Sequence, residues 1–329
     1  MHKAVDRWRR QISYLRISVT KRCNLKCAYC MPGDGGPIYP KGDILSIRQI
    51  LRLAEAFAPM GIRKVRLTGG EPLMRKGIVA LVDGLRAVGG IEEVAMTTNG
   101  VLLGRMMPAL QAAGLSRVNV SLDTLRPERM RALAGHDFTE PVLNTIRAIA
   151  EKGEWPVKVN VVAIRGINDD EILDFARLAA ELPVEVRFIE MMPTAHNRLW
   201  NGKTCLPSAE IERTIRERYE LLPGPRGLSG GPAVVYGIAG GAGRVGFVSP
   251  LTKHFCGECN RMRLTAEGKL RACLFSDGEI DLKAGLDAGH EDDWFRQKFA
   301  EALGAKPERH ALTPRSSAPC SRPMAAIGG

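Results

Sequence analysis

The chain has 329 residues, 45% of them hydrophobic, and a formal net charge of +11 at pH 7. This length and composition allow a sizeable buried core, either in two domains or in a single α/β barrel. No segment approaches the roughly 20 apolar residues that a membrane-spanning helix needs, and no long apolar run follows the basic stretch Arg7–Arg10. We therefore expect a cytoplasmic protein with no secretory signal peptide and no membrane partner.

The positive net charge raises the question of nucleic-acid binding. The basic residues are spread along the chain, and only 5% of the residues are aromatic, so stacking platforms for single strands are scarce. A small anionic substrate would use the same charge locally, and the remainder can be solvated surface. We therefore predict no nucleic-acid partner.

Strands and helices alternate regularly up to Met192. The hydrophobic pattern predicts six strands, at 15–19, 64–68, 94–97, 118–122, 157–164 and 184–189. Helices fill the intervals, and we expect Ser46 to cap the first and Asp169 or Asp170 to cap the last. Six successive βα units predict a parallel sheet flanked by helices. Later elements are a helix over 208–218, a Gly-rich segment with short strands over 224–246 and a helix near 291–303.

Alternate residues of these strands face opposite sides of the sheet. One set is aliphatic, as in Leu15, Ile17 and Val19, and should pack under the helices. The other set is polar and largely cationic: Arg16, Ser18, Lys64, Arg66, Thr68, Thr97, Asn119, Ser121, Lys158, Asn160, Glu185 and Arg187. A closed (β/α)8 barrel fills its interior with branched apolar side chains, so this pattern predicts a wider, incompletely closed barrel around a charged ligand. The alternative is an open sheet whose polar face is partly exposed to solvent.

Six of the eight cysteines form two triplets, which indicates metal binding in a reducing compartment. The first triplet is Cys23, Cys27 and Cys30, with C-x3-C-x2-C spacing directly after the first strand. Thiolates favour iron–sulfur clusters, zinc or copper(I). Because a [4Fe–4S] cluster usually takes four cysteines, three would leave one iron with an open position, as in catalytic metal sites. The alternative is a zinc site whose fourth ligand comes from elsewhere.

The second triplet is Cys256, Cys259 and Cys273, with C-x2-C-x13-C spacing. A zinc ribbon would need a second C-x2-C pair, which this segment lacks, but His254 could complete a Cys3His zinc site. The spacing alone therefore leaves zinc and a cluster equally open. Cys205 and Cys320 belong to neither triplet, and we interpret them as incidental thiols.

The first triplet, with Tyr29 before its third cysteine, resembles the radical S-adenosylmethionine (SAM) superfamily. Together the two triplets resemble the MoaA family, the GTP 3′,8-cyclases that open molybdenum cofactor biosynthesis. The resemblance covers nearly the whole chain. The other segments that carry it are Leu15–Thr20, Arg66–Pro72, Thr97–Gly100, Ser121–Asp123, Ser249–Leu251, Cys259–Thr265 and Gly328–Gly329.

The resemblance implies an α/β fold: an incomplete parallel (β/α)6-type radical SAM barrel over residues 1–192. It implies that residues 193–329 carry a second Fe–S cluster and pack over the barrel mouth. It also implies two [4Fe–4S] clusters, with SAM on the first and GTP on the second. A 5′-deoxyadenosyl radical would take the 3′ hydrogen of GTP, and the carbon radical would attack C8. The product would be (8S)-3′,8-cyclo-7,8-dihydroguanosine 5′-triphosphate.

The same resemblance implies ligand residues. Cys23, Cys27 and Cys30 would hold the first cluster, and Cys256, Cys259 and Cys273 the second. The SAM-binding positions would be Tyr29, Gly70, Ser121 and Met192. The GTP-binding positions would be Arg16, Arg66, Thr97, Lys158, Arg261, Met262 and Arg263, of which the first four lie on the polar strand face. Strand parity adds Arg187 as a further active-site cation, and the terminal Gly328–Gly329 would support catalysis.

Two features depart from the family pattern: Lys21 stands where an Asp is common, and the loop Gly33–Pro40 is long and glycine-rich. The resemblance also implies a flavodoxin- or ferredoxin-like electron donor, transfer of the product to a cyclic pyranopterin monophosphate synthase, and a monomer or homodimer. Two alternatives stay open. One is a radical SAM enzyme with an auxiliary cluster that acts on a peptide, and the other is a non-enzymatic, basic, metal-binding protein that binds nucleic acid.

Overall fold

One twelve-stranded sheet organises the protein, seen here in a computed structural model that describes residues 4–31, 44–153, 155–224, 231–316, 322 and 324–327. The strands are β1 (Tyr14–Ser18), β2 (Lys64–Thr68), β3 (Glu93–Thr98), β4 (Arg117–Ser121), β5 (Val157–Ala163), β6 (Glu185–Glu190), β7 (Leu221–Pro223), β8 (Val234–Ile238), β9 (Arg244–Val248), β10 (Arg261–Leu264), β11 (Lys269–Arg271) and β12 (Glu279–Asp281). The helices are α1 (Ile47–Phe57), α2 (Ile78–Ala87), α3 (Leu103–Ala112), α4 (Pro127–Ala134), α5 (Thr139–Lys152), α6 (Ile172–Glu181), α7 (Ser208–Arg216), α8 (Lys283–Asp287), α9 (Asp292–Gly304) and α10 (Met324–Ile327).

The sheet is parallel at its centre and antiparallel at both edges. Strands β1 to β6 pair in sequence order, each parallel to the next. Strand β10 adds in parallel beside β1, and β9 adds in parallel beside β6. The antiparallel pairs β11–β12 and β7–β8 lie outside these two strands. Within the described ranges no pairing joins β12 to β7, so the predicted incomplete parallel α/β barrel is confirmed.

The later part of the chain shares this sheet rather than forming a separate one. The sequence predicted six parallel strands, and the structure adds β9 and β10 as a seventh and an eighth. Short strands were expected within 224–246, but neither β9 nor β10 was predicted as a parallel strand of the main sheet. Neither belongs to the repeating strand–helix unit, because β9 is the second strand of a hairpin with β8 and β10 comes just after Cys259. The division at residue 192 stays a prediction.

The aliphatic face of the strands forms the core, as predicted. Leu15, Ile17, Val65 and Leu67 are fully buried in one large apolar cluster that also takes in the inner faces of the helices. The polar strand residues therefore lie on the opposite face, inside the curve of the sheet. None of the helices within the described residues combines the length and the apolar character needed to cross a bilayer.

One of the two predicted helix caps is correct. Ser46 caps α1 in a capping box, because its hydroxyl accepts the Gln49 N–H at 3.2 Å while the Gln49 side chain accepts the Ser46 N–H at 2.8 Å. The predicted Asp cap of α6 is wrong. Asp169 and Asp170 lie in a short 3-10 turn before the helix, and the Asp170 carboxylate pairs with Arg129 at 2.7 Å instead.

The late helix α9 packs across α1 through two buried phenylalanine rings. The centroids of Phe57 and Phe299 are 4.7 Å apart, and both side chains are fully buried. Since α9 leads into the segment beside the second cysteine triplet, this contact fixes that segment against the barrel.

We expect Phe299→Ala to lower the free energy of unfolding by about 3–5 kcal/mol, because it opens a cavity between two helices. Thermal unfolding followed by circular dichroism measures the loss. Gln297→Ala, on the exposed side of the same helix, is the matched control and should unfold within a degree or two of the parent. Equal melting temperatures for the two variants would contradict the packing role of Phe299.

Candidate functional site

The two cysteine triplets lie at opposite ends of one pair of parallel strands. Cys23 follows the carboxyl end of β1, whereas Cys259 precedes the amino end of β10. The strands run in parallel register, with Tyr14 opposite Arg261. A five-residue strand spans roughly 16 Å, so the polar face of the sheet occupies the space between the triplets.

In the first triplet, Cys23 and Cys30 lie near enough to Cys27 to affect its pKa. All three cysteines are thiols rather than disulfide halves, and all three are partly buried. Burial raises the pKa of the Cys27 thiol well above its usual range, and the neighbouring Cys30, Asp123 and Cys23 raise it further. The Cys23 sulfur accepts N–H bonds from the Leu25 backbone at 3.4 Å and from the Asn99 side chain at 3.8 Å. Three thiols on one short loop, with two N–H donors directed at the Cys23 sulfur, fit a cluster held by three thiolates.

The turn after β2 packs directly against the chain that leads into this triplet. The Gly70 N–H donates to the Thr20 carbonyl at 2.8 Å, and the Glu71 N–H donates to the Arg22 carbonyl at 2.7 Å. A Cβ on Gly70 would lie 2.6 Å from the Arg22 carbonyl carbon and closer still to its oxygen. Only glycine fits this approach.

Glu71 extends this support to the first cysteine itself. Its buried carboxylate accepts the Asn99 backbone N–H at 2.7 Å and the Thr98 hydroxyl at 2.8 Å. The Asn99 side chain then donates to Asn24 at 2.8 Å and reaches the Cys23 sulfur. The sequence analysis did not single out Glu71 or Asn99 as site residues, because their role depends on contacts between three loops.

A small cavity lies beside the first triplet, and its lining includes Cys27, Tyr29 and Ser121. The Tyr29 hydroxyl donates to Asp123 at 2.5 Å. Burial raises the pKa of the Asp123 carboxyl to about 6, although the bonds from Tyr29 and from a backbone N–H oppose the rise. Met192 lies just past β6, where its carbonyl accepts a bond from Asn197 at 2.9 Å. The SAM-binding roles of Tyr29, Gly70, Ser121 and Met192 stay predictions.

Three arginines stand side by side on the inner face of the sheet. Arg16 of β1 is in register with Arg66 of β2 on one side and with Arg263 of β10 on the other. Arg66 and Arg263 are buried, and burial lowers the pKa of Arg16, with Arg263 lowering it further. Because arginine keeps its proton even when buried, this face concentrates positive charge away from water and favours an anion.

Neighbouring groups hold the guanidinium of Arg66 in place. It donates to the Tyr14 hydroxyl, to the Met96 carbonyl at 3.2 Å and to the Thr97 hydroxyl at 3.2 Å. Burial acts to raise the pKa of Tyr14, but Arg66, Arg16 and Lys64 outweigh it and lower the pKa to about 7. Tyr14 can therefore carry part of the balancing negative charge.

Two further predicted cations, Lys158 on β5 and Arg187 on β6, are paired with a carboxylate. The Lys158 ammonium lies 2.9 Å from Glu185, and Arg187 contacts the same carboxylate. Burial and the neighbouring Arg187 lower the pKa of Lys158 to about 8, although Glu185 opposes this. Arg187 lies on the predicted polar face, and its role as a site cation stays a prediction.

The second triplet lies beside a cavity of about 1230 Å³. Its lining includes Cys259, Arg261 and Lys158, so strands from both halves of the chain face one space. Burial acts to raise the pKa of Cys259, but Arg261 and Lys306 outweigh it and lower the pKa to about 6. Burial raises the pKa of the Cys256 thiol, and the neighbouring Cys273 and Cys259 raise it further.

The sequence also predicted roles at this end of the sheet for Met262 and His254. The Met262 side chain is fully buried in the main apolar cluster, on the face opposite to Arg261, so only its backbone can face the cavity. The ligand atoms of His254, Cys256 and His310 lie within 4.8 Å of one another, which gives the zinc alternative a geometric basis. Cys205 is buried in a small apolar cluster with Leu251 and Leu312.

The C-terminal tail reaches Arg263, which together with Arg16 and Arg66 we call the arginine layer. The carbonyl of Ile327 accepts a bond from the Arg263 guanidinium at 3.2 Å. Arg322 bonds Glu279 at 2.7 Å and Glu267 at 3.4 Å, and Lys21 pairs with Glu267. The predicted Gly328–Gly329, the loop Gly33–Pro40 and Cys320 lie outside the described residues.

We expect Gly70→Ala to displace the chain before Cys23 and to weaken metal binding by the first triplet alone. Overpacking of this kind costs about 1–3 kcal/mol. Iron measured after anaerobic reconstitution should fall by about half, since the second triplet is untouched. Gly89→Ala is the control, because a Cβ there meets no atom within 4 Å. Full iron content in Gly70→Ala would contradict the proposed support.

Comparison with known proteins places this site in a family. A family model for the radical SAM superfamily matches residues 17–179, and one for Molybdenum Cofactor Synthesis C matches residues 184–312. A GTP 3′,8-cyclase of Moorella thermoacetica is 48% identical over 98% of this chain and 99% of its own length. Molybdenum cofactor biosynthesis protein 1 of Homo sapiens is 42% identical over 98% of this chain and 50% of its own length.

A solved structure gives an independent view of the fold. Streptococcus suis SuiB bound to precursor peptide SuiA aligns with a TM-score of 0.62 and 14% identity, over 93% of this chain and 74% of that chain. This similarity shows a shared fold alone. The two family models and the relatives that match nearly the full chain show more: the chain belongs to the GTP 3′,8-cyclase family of the radical SAM superfamily.

Proposed function

We propose that this protein is a GTP 3′,8-cyclase that catalyses the first step of molybdenum cofactor biosynthesis. One observation carries the proposal: a layer of buried arginines lies between two cysteine triplets, in a chain that matches this family over nearly its full length. Cys23, Cys27 and Cys30 would hold a [4Fe–4S] cluster that binds SAM. Cys256, Cys259 and Cys273 would hold a second [4Fe–4S] cluster that faces the substrate.

The arginine layer suits a nucleoside triphosphate. Arg16, Arg66 and Arg263 present three guanidinium groups on adjacent strands. Such groups bind phosphate oxygens in a bidentate manner, with charge-assisted hydrogen bonds about twice as strong as neutral ones. Thr97 fixes Arg66 and would orient its fork toward the phosphates. Arg261 and Lys158 line the cavity at the second triplet and would complete the charge balance.

The protein's own residues position the reaction. When bound, the first cluster and SAM supply the 5′-deoxyadenosyl radical that removes the 3′ hydrogen of GTP. The arginine layer would hold the triphosphate, so the ribose and the guanine have few orientations left. The C-terminal segment over the barrel would exclude water from the substrate while it reacts. Gly328–Gly329 come directly after Ile327, whose carbonyl accepts a bond from Arg263, and would support catalysis.

Several partner and location assignments belong to the same proposal. The exposed Arg22 and Lys26 flank the first triplet and suit an acidic flavodoxin- or ferredoxin-like electron donor. The product would pass to a cyclic pyranopterin monophosphate synthase. Free thiols suit the reducing cytoplasm. Residues 1–192 would form the barrel and residues 193–329 its cover, in a monomer or a homodimer.

The decisive measurement is 5′-deoxyadenosine release under strict anaerobiosis, with SAM and reductant, in the presence and absence of GTP. We expect release to rise with GTP while GTP is converted to a new nucleotide of the same mass. A variant without the second triplet, Cys256→Ala with Cys259→Ala and Cys273→Ala, should still bind SAM but form no cyclised nucleotide.

Two outcomes would contradict the proposal. Release that ignores GTP, in protein that contains both clusters, would leave a radical SAM enzyme with another substrate, and peptides would be tested next. Zinc without sulfide in anaerobically prepared protein would remove the radical chemistry altogether.

The pKa of Lys158 predicts a pH dependence of GTP binding. Lys158 carries its positive charge below a pKa of about 8 and loses it above. A lost charge-assisted phosphate contact costs about 1.5–3 kcal/mol. Since the protonated fraction of Lys158 falls about tenfold between pH 7 and pH 9, GTP affinity should fall roughly five- to tenfold over this range. Equilibrium dialysis under anaerobic conditions measures the affinity.

Lys158→Arg should flatten this pH profile, because guanidinium stays protonated. Lys152→Arg, on an exposed helix end, is the matched control and should keep the parent profile. The assignment of Lys158 to the substrate site is wrong if the profile of Lys158→Arg equals that of the parent.

A further inference from the structure

A buried lysine lies behind the second cysteine triplet. Lys306 follows α9 and is only 2% exposed. Its ammonium donates to the Arg261 carbonyl at 2.8 Å and to the Ala272 carbonyl at 2.6 Å. Arg261 is two residues after Cys259, and Ala272 directly precedes Cys273. One side chain therefore ties together two of the three cysteine-bearing segments.

The charge of Lys306 has no carboxylate partner among the described residues, where its ammonium contacts are the two carbonyls. Burial lowers the pKa of Lys306, and the thiols of Cys259 and Cys273 are the groups that oppose this decrease. A buried cation costs free energy unless an anion lies nearby. The protein supplies that anion only when the triplet is present as thiolates, as it is when metal is bound.

Arg10 makes a contrasting contact with the third segment. Its guanidinium donates to the Cys256 carbonyl at 2.8 Å and to the Pro307 carbonyl at 2.7 Å. Its charge is balanced, because Asp6 pairs with it at 2.6 Å. Arg10 thus braces the site without adding net charge, whereas Lys306 braces it and adds a positive charge.

We propose that Lys306 is a positioning residue for the second cluster, which holds the segments of Cys259 and Cys273 and raises the reduction potential of the cluster. The inference rests on the proposed function, because it takes this triplet to bind a [4Fe–4S] cluster. Net charge and hydrogen bonding around the sulfurs set the potential of such clusters. A one-electron reduction adds negative charge to the cluster, and a buried cation beside it stabilises the reduced form.

The test uses a background in which Cys23, Cys27 and Cys30 are all replaced by Ala, so that only the second cluster contributes. Lys306→Gln keeps an N–H donor and removes the charge, and Lys306→Arg keeps the charge. The reduced fraction is followed by electron paramagnetic resonance during a mediated redox titration. Iron and sulfide content and circular dichroism are measured on the same samples.

At a fixed potential we expect the ratio of reduced to oxidised cluster to fall at least tenfold in Lys306→Gln, a shift of about 59 mV for one electron. Lys306→Arg should match the parent. The matched control, Lys152→Gln on an exposed helix end, removes the same charge from the surface and should also keep the parent potential. Loss of iron from a folded Lys306→Gln, with iron retained in Lys306→Arg, would equally support the proposed role.

A Lys306→Gln protein that keeps its cluster and titrates like the parent would overturn this inference alone. A background protein that binds no iron or sulfide would overturn the proposed function, and this inference with it. Should Lys306→Gln fail to fold, Lys306→Met offers a second neutral side chain of similar length, to which the same two criteria apply.

Discussion

The parallel pairing of β10 with β1 is the constraint on which the site depends. It brings a strand from the far end of the chain beside the first strand and keeps both in the same direction. Because one strand ends at the first triplet and the other begins at the second, the two cysteine triplets must lie at opposite ends of these strands. The space between them is then fixed by strand length rather than by loop conformation.

That space is costly to build, because its walls carry like charges. Arg16, Arg66 and Arg263 lie on neighbouring strands, and burial, Arg263 and Arg66 all lower the pKa of Arg16. Tyr14 accepts a bond from Arg66, and Glu185 pairs with Lys158 and Arg187 elsewhere on the same face. An anionic ligand bound on this face would reduce the repulsion further.

Strand parity predicted much of this arrangement from the sequence. The alternation of aliphatic and cationic residues depends only on the period of a strand, and the cysteine spacing depends only on local chain. The missed features all depend on tertiary contacts. Strands β9 and β10 are recognised as parallel only beside β6 and β1. Glu71 acts through Asn99, which lies on another loop. Asp170 pairs with Arg129 instead of capping its helix.

The departure at Lys21 has a structural counterpart. Lys21, two residues before Cys23, pairs with Glu267, which also bonds Arg322 of the tail. A carboxylate at position 21 would face Glu267 and repel it, so the lysine and Glu267 are complementary. The contact joins three regions that meet at the site: the loop of the first triplet, the turn after β10 and the tail that reaches Arg263 at Ile327. A residue that differs from the family pattern thus links the first metal site to the segment expected to support catalysis.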